Sequence, residues 1–411
     1  MRVTVERLGH LGDGIAPGPV YVPLSLPGEV AEGEVEGGRM AAPRIVVPSS
    51  DRVAAPCPHF RRCGGCALQH ASDAFVGAWK ADVVRAALAA RGLEAPIRGV
   101  ATSPPGSRRR AVLSGRRTKK GATVGFHARA SDVIVEVPEC RLLVPEIVAA
   151  IPVLEEIVRE GASRKGEAAL TVTASEAGAD VAVTGGKPLS GPLQARLAEI
   201  AGRGGLARLA WEGEVVAALA PPAQRFDGIA VVPPPGAFLQ ATAHGEGVLR
   251  RAVTEAVGPA RRIADLFAGC GTFALPLASG AEVHAVESDA AMLAALDAGW
   301  RGARGVKAVT TEARDLFRRP LMPDELTRFD AVVIDPPRAG AAAQTAALAK
   351  GGPRRIAFVS CNPVTFARDA EALVRAGYGL DWIEVVDQFR WSPHVELAAQ
   401  FSRDHMAAKP A

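Results

Sequence analysis

From Arg261 onward the sequence alternates strand-like and helix-like segments, and few folds accommodate that regularity. Short aliphatic runs at Arg262–Phe267, Glu282–Glu287, Lys307–Thr311, Asp330–Asp335, Arg355–Ser360, Leu380–Phe389 and Val395–Phe401 read as strands. Helical patterns fill the gaps between most of them, which describes a doubly wound α/β sheet. Only a short link separates the last two runs, so they are expected to pair antiparallel and complete a seven-stranded sheet.

In such sheets ligands bind outside the carboxyl ends of the strands, and several of these ends carry polar or reactive residues. The apolar run Ile356–Val359 leads through Ser360 into Cys361-Asn362-Pro363. Asn362 suits an N-cap and Pro363 the first position of a helix that Gly377 closes. Cys361 is therefore predicted at a strand end beside a helix N-terminus, where the helix dipole favours thiolate. A buried core cysteine is the bland alternative, and the polar neighbours Ser360 and Asn362 weigh against it. Asp265-Leu266-Phe267-Ala268-Gly269-Cys270-Gly271-Thr272 reads as a strand, a tight glycine turn and a helix start. Glu287, at the end of the next strand, is placed to accept hydrogen bonds from ribose hydroxyls. The third glycine of a dinucleotide fingerprint is missing. With Asp315 and Asp335-Pro336-Pro337 after the third and fourth strands, S-adenosylmethionine is the better fit. Cys270 reads as a small packing residue.

The N-terminal half is organised differently. Residues 1–48 alternate short β-like runs with glycine turns and suggest a small barrel of the OB type. That segment is acidic, with six Asp/Glu against four Lys/Arg over residues 1–50, so it is no strong phosphate binder by itself. Cys57, Cys63 and Cys66 follow within ten residues, separated by glycines, as in a metal-binding loop. Cys140 is the best candidate for a fourth ligand, and spacing alone allows zinc or an iron–sulfur cluster. Residues 71–92 carry a helical apolar period. Ser107–Lys120 holds seven basic residues and no acidic one on β-type segments, and reads as a phosphate-tracking surface. Residues 147–235 carry no recognisable chemistry. Net charge is only +4, so any nucleic-acid contact must rest on local patches. The start of the chain lacks a signal-type apolar core, and no apolar run approaches membrane-spanning length. A soluble cytoplasmic protein is expected, with cysteines used for metal or catalysis rather than disulfides.

Together these residues resemble the S-adenosylmethionine-dependent uracil-5 RNA methyltransferases. The resemblance spans nearly the whole chain. It includes the TRAM-like start, the four cysteines, Arg109-Arg110, Phe238-x-Gln240, Asp265 to Gly271, Asp335-Pro336-Pro337-Arg338-x-Gly340, Ser360-Cys361-Asn362-Pro363, Asp387-x-Phe389 and His394-x-Glu396. It implies a TRAM-like OB barrel over 1–48 and a central RNA-binding α+β domain over 49–235. A Rossmann-like class I methyltransferase domain would follow over 236–411. It further implies a 4Fe-4S cluster on Cys57, Cys63, Cys66 and Cys140, Cys361 as nucleophile and Glu396 as general base. Gln240, Phe267, Thr272, Glu287, Asp315 and Asp335 would contact S-adenosylmethionine. A thiolate is needed because carbon 5 of uracil is not nucleophilic until carbon 6 is attacked, and a base because the adduct keeps its hydrogen at carbon 5. The expected partner is RNA, ribosomal before transfer RNA, with the target base unstacked. DNA and membrane partners are not expected, and the chain is expected to be monomeric. The rivals are a cytosine-5 RNA methyltransferase, which would carry a second cysteine after Asp335-Pro336, and a non-catalytic iron–sulfur RNA-binding protein. Thr272 stands where many family members have Asn, and Arg390-Trp391-Ser392-Pro393 replaces more usual residues next to the proposed base.

Overall fold

The computed structural model describes residues 1–403. Its largest sheet runs in the order Val309–Ala313, Glu282–Glu287, Arg262–Leu266, Ala331–Ile334, Arg355–Ser360, Glu396–Ser402, Gly379–Asp387 and Ile97–Thr102. The first five strands are parallel. Glu396–Ser402 is antiparallel to both its neighbours, as the short link predicts. Alternate side chains of each strand feed opposite cores. Val283 and Val333 pack with Val253 and Leu275 on one face. Val332, Ile334 and Phe358 pack with Leu348 and Phe366 on the other.

The sheet has eight strands rather than the expected seven. The additional strand, Ile97–Thr102, comes from the segment assigned to the central region and pairs in parallel with Gly379–Asp387. It covers a row of backbone donors and acceptors that the sheet edge would otherwise leave open. Helix Asp73–Ala89 delivers it there. Ser72 caps that helix by accepting a 3.2 Å bond from the Phe75 amide. Val84 and Leu88 then bury in the same core as Phe366, Leu373 and Ile383.

Strand order reverses where Arg262–Leu266 lies beside Ala331–Ile334, with Glu282–Glu287 on its other side. That switch point opens a crevice at the carboxyl ends of these strands.

A second sheet has seven strands, in the order Ile134–Glu136, Ala122–His127, Arg110–Arg117, Ala168–Ser175, Gly178–Thr184, Arg208–Trp211 and Glu214–Ala218. Helices Pro145–Gly161 and Gly191–Arg203 supply the apolar side chains that cover one face, among them Ile151, Leu154, Leu197 and Ile200. The N-terminal segment forms two three-stranded sheets around Val3, Val5, Ala16, Val22 and Met40. Among the described residues no helix is long and apolar enough to cross a membrane.

The basic run corrects a reading made from charge alone. Arg109 pairs with Glu246 and donates to the Gln240 carbonyl at 3.2 Å. Arg110 donates to the Ala237 and Gly236 carbonyls at 3.0 and 3.1 Å, and Arg116 pairs with Glu167 at 2.9 Å. These guanidiniums fasten the second sheet to the segment 236–246 that leads into the eight-stranded sheet, and to Glu167 before its own neighbouring strand. Lys119 and Lys120, in the turn, are exposed, and Arg116 and Arg117 are partly so.

Candidate active site

Each wall of the crevice is built by a strand end. Strand Arg262–Leu266 passes into Phe267 at φ 63° and a turn through Gly269 and Gly271 at φ 56° and 93°. A side chain at Gly271 would meet Leu296 at 2.8 Å and Leu275 at 3.0 Å, so the turn closes tightly against the following helix. Glu287 Oε2 accepts from the Gly269 amide at 3.1 Å, and Oε1 accepts from Ser288 and Asp289 amides. The predicted ribose acid therefore also orders the glycine turn. Asp315 accepts from the Phe317 amide at 2.9 Å, and Phe317 lies against Phe267 with ring centroids 5.5 Å apart. Thr272, half-buried, completes this wall.

Asp265 lies beneath the turn, fully buried, with no side-chain partner for either carboxyl oxygen among the described residues and only the Ala274 amide facing it. Burial, with Asp335 and Glu287 nearby, holds its pKa well above the ordinary carboxylate value. An orphaned acid under a glycine turn fits a ligand with a positively charged amine. The donors and acceptors around it match S-adenosylmethionine, which carries such an amine and a ribose.

The opposite wall carries Cys361. Asn362 caps helix Pro363–Arg375 by accepting from the Val364 amide at 3.1 Å. Its Nδ2 donates to the Arg338 carbonyl at 2.9 Å, so one side chain fixes the cysteine corner and the Asp335–Gly340 loop together. The helix dipole expected from the sequence to favour thiolate is opposed here by the surroundings of Cys361. Burial, Glu396 and Asp335 push the thiol up to about 11, against a smaller opposing influence of Arg338.

Glu396 opens the antiparallel strand beside Arg355–Ser360 and is buried. Two side chains, Gln388 and Gln240, link it to Asp335. Gln388 Nε2 donates to Glu396 Oε2 at 3.0 Å and to Gln240 Oε1 at 2.6 Å, and Gln240 Nε2 donates to Asp335 Oδ2 at 3.3 Å. Gln388 Oε1 accepts from the Ala241 amide at 2.8 Å, which locks its orientation. Desolvation raises both carboxyls, and Asp335 raises Glu396 further. A thiol, a raised carboxylate pair and a cofactor turn thus meet in one crevice. That set can add a nucleophile to an unsaturated ring and remove a proton from it.

Sequence reasoning missed Gln388, the unassigned middle residue of Asp387-x-Phe389. It also missed Lys80, whose ammonium is buried 2.5 Å from Asp387 and donates to the Phe389 carbonyl at 3.2 Å. A lysine on the buried stripe of Val76, Val84 and Leu88 was the available signal.

Cys57, Cys63, Cys66 and Cys140 line one cavity with Phe60, Gly65, Gln69, Phe126, Val137 and Leu142, and all four are free thiols. Burial raises Cys63 and Cys140 and pushes Cys66 up to about 12. Among the described residues no group of His, Cys, Asp or Glu is arranged to hold a metal ion, so no preformed ion site accompanies the cavity. The donor set nonetheless fits a thiolate-held cluster. The Gly65 amide points at Cys63 sulfur, and amides of Leu142 and Leu143 point at Cys140.

Comparison with known proteins agrees with this geometry. A family profile described as tRNA (Uracil-5-)-methyltransferase matches residues 303–403. The chain is 44% identical over 410 residues to an uncharacterized RNA methyltransferase of Rhizobium meliloti, covering 98% of this chain and 99% of the relative. It is 33% identical to the 23S rRNA (uracil(1939)-C(5))-methyltransferase RlmD of Halomonas elongata, covering 96% and 88% respectively. Among solved structures, the Pyrococcus abyssi tRNA (uracil-54, C5)-methyltransferase in complex with S-adenosyl-L-homocysteine superposes with a TM-score of 0.75. That pair is 25% identical, with 98% of this chain and 99% of that one covered.

Proposed function

Because the chain belongs to the RNA uracil-C5 methyltransferase family, whose members transfer a methyl group from S-adenosylmethionine, we propose that its substrate is 23S ribosomal RNA. The support is a relative of that activity aligned over most of both chains. A tRNA substrate is the second reading, favoured by the solved tRNA enzyme of the same architecture.

The chemistry rests on one observation, the convergence of Cys361, Asp335 and Glu396 at the switch point. In this reading Cys361 Sγ bonds to carbon 6 of the flipped uracil, and its proton leaves through the ionised member of the carboxylate pair to solvent. The electron pair of the carbon 5–carbon 6 double bond moves into the enolate, making carbon 5 nucleophilic. S-adenosylmethionine supplies the electrophilic methyl group at that carbon. Glu396 then takes the hydrogen from carbon 5, the double bond re-forms, and the carbon–sulfur bond breaks with the pair returning to Cys361. Gln240, Phe267, Thr272, Glu287 and Asp315 would hold the cofactor, with Asp335 between it and the base. The raised thiol is consistent with a nucleophile that ionises only with substrate in place.

We assign the four thiols around the cavity to a 4Fe-4S cluster, and no catalytic step passes through it. We read the N-terminal sheets as a TRAM-like RNA-contacting unit over 1–48, with a central unit over 49–235 and a catalytic unit from 236. Residues 404–411 of that last unit lie outside the described residues.

The test is nucleoside mass spectrometry of separated ribosomal and transfer RNA from cells with and without the gene, complemented by wild type, Cys361→Ser and Glu396→Gln. Loss of 5-methyluridine from the large-subunit fraction, restored only by wild type, is expected. Loss from tRNA alone overturns the substrate, and restoration by Cys361→Ser overturns the mechanism. Iron and acid-labile sulfide in anaerobically purified protein, lost in Cys66→Ser, test the cluster.

A further inference from the structure

Glu396 lies at the end of the turn that joins Gly379–Asp387 to Glu396–Ser402. At the start of that turn Gln388 bonds to Glu396 itself, so the segment forms a loop whose ends meet at the carboxylate. Its apex is Trp391. This residue adopts φ 60°, a left-handed conformation that a non-glycine residue keeps only when its surroundings enforce it. Its carbonyl accepts from the Ala67 and Leu68 amides at 2.7 and 3.0 Å. Its indole is 4% exposed and packs with Phe60, Cys66 and Leu142, with Cys57 and Cys140 at the margin. Arg390 stacks over the indole at 4.8 Å, donates to the Ser103 carbonyl at 3.1 Å and pairs with Asp73 at 2.5 Å. Beyond the apex the turn tightens: the Ser392 amide donates to the Phe389 carbonyl at 3.0 Å, and Ser392 Oγ accepts from the His394 amide at 3.3 Å.

We propose that Trp391 is a positioning residue for the reaction, mooring the loop that leads into Glu396 to the four-cysteine loop. The proposal rests on the assignment of Glu396 as base. Apart from Arg390 in the loop itself, the contacts of the apex described above come from residues 57–142, outside the strands that carry the cysteine nucleophile and the cofactor turn. Glu396 is the first residue of its strand, so release of Trp391 lets that strand end fray and Glu396 drift from carbon 5, while Cys361, held by its own strand and capped helix, still reaches carbon 6. Methylated adduct would then form faster than it is resolved.

The experiment incubates full-length enzyme with S-adenosylmethionine and ribosomal RNA from cells lacking the gene. It reads methyl transfer and the protein–RNA band on denaturing gels. Trp391→Ala is expected to lose about tenfold or more in turnover, keep KM for S-adenosylmethionine within about twofold, and accumulate the covalent band as Glu396→Gln does. Trp391→Phe should turn over within about threefold of wild type without the band. Leu142→Ala, which loosens the indole's pocket, should give a weaker band, and it decides the matter if Trp391→Ala is insoluble. Wild-type turnover in Trp391→Ala, lost turnover without a band, or a band-free Leu142→Ala beside an insoluble Trp391→Ala overturns the proposal. Absence of the band in Glu396→Gln instead overturns the base assignment, and the role of Trp391 falls with it.

Discussion

Replacing Gln388 by leucine removes the only side chain that joins Glu396 to Gln240 among the described residues while nearly preserving volume. The amide of Gln388 favours the ionised form of Glu396, so its loss raises a carboxyl that burial and Asp335 already raise. A hydrogen bond to a charged group contributes about 1.5–3 kcal/mol, and 1.36 kcal/mol is roughly one pH unit. Because the base acts when ionised, the acidic limb of the rate profile should move upward by roughly 1–2 pH units. The Ala241 amide and Gln240 Oε1 also lose their partner in a buried site, and each orphaned group costs about 1–3 kcal/mol. Unfolding free energy should therefore fall by about 2–6 kcal/mol. Initial rates of methyl transfer measured from pH about 6 to about 9.5, together with urea unfolding, read both effects. An acidic limb that stays in place or moves downward would refute the coupling of Gln388 to the base.

Glu396→Gln and Asp335→Asn should stabilise the fold while abolishing turnover. Raised folded pKa values mean that the folded state binds more protons than the unfolded chain, from the ordinary carboxylate range up to the raised values. Stability thus falls as pH rises through that window, and thermal melts should show the gain of each amide variant widening from pH about 4 to about 8 and levelling off above it. Lys80→Met leaves Asp387 buried without its partner and should cost about 3–5 kcal/mol, with Lys80→Met/Asp387→Leu recovering most of it in denaturant titrations. Gly271→Ala forces a methyl against Leu296 and a side chain into φ 93°, and should lower stability by about 1–3 kcal/mol. Calorimetry should find its S-adenosylmethionine affinity weakened as the turn shifts.

The parallel strands and their catalytic ends were legible because each is a local pattern: an apolar run, a polar or glycine turn, a capped helix. Cys361, Glu287 and Asp335 could be placed at strand ends without knowing what faced them. The state of Cys361 could not, because the helix dipole is local whereas the two carboxylates that oppose it arrive from other strands. The basic run misled for a similar reason, since charge density in the chain says nothing of Glu246 or the carbonyls at 236–240 that absorb Arg109 and Arg110.

What the sequence determined by itself was therefore the order of elements and the residue types at their ends, which period, capping and turn chemistry dictate over a few neighbours. Tertiary structure alone decided the eighth strand, the buried Lys80–Asp387 pair, the relay from Gln388 to Asp335 and the mooring of Trp391. Each of these joins segments far apart in the chain, and each is stabilised by desolvation and hydrogen-bond satisfaction that exist only once those segments have packed.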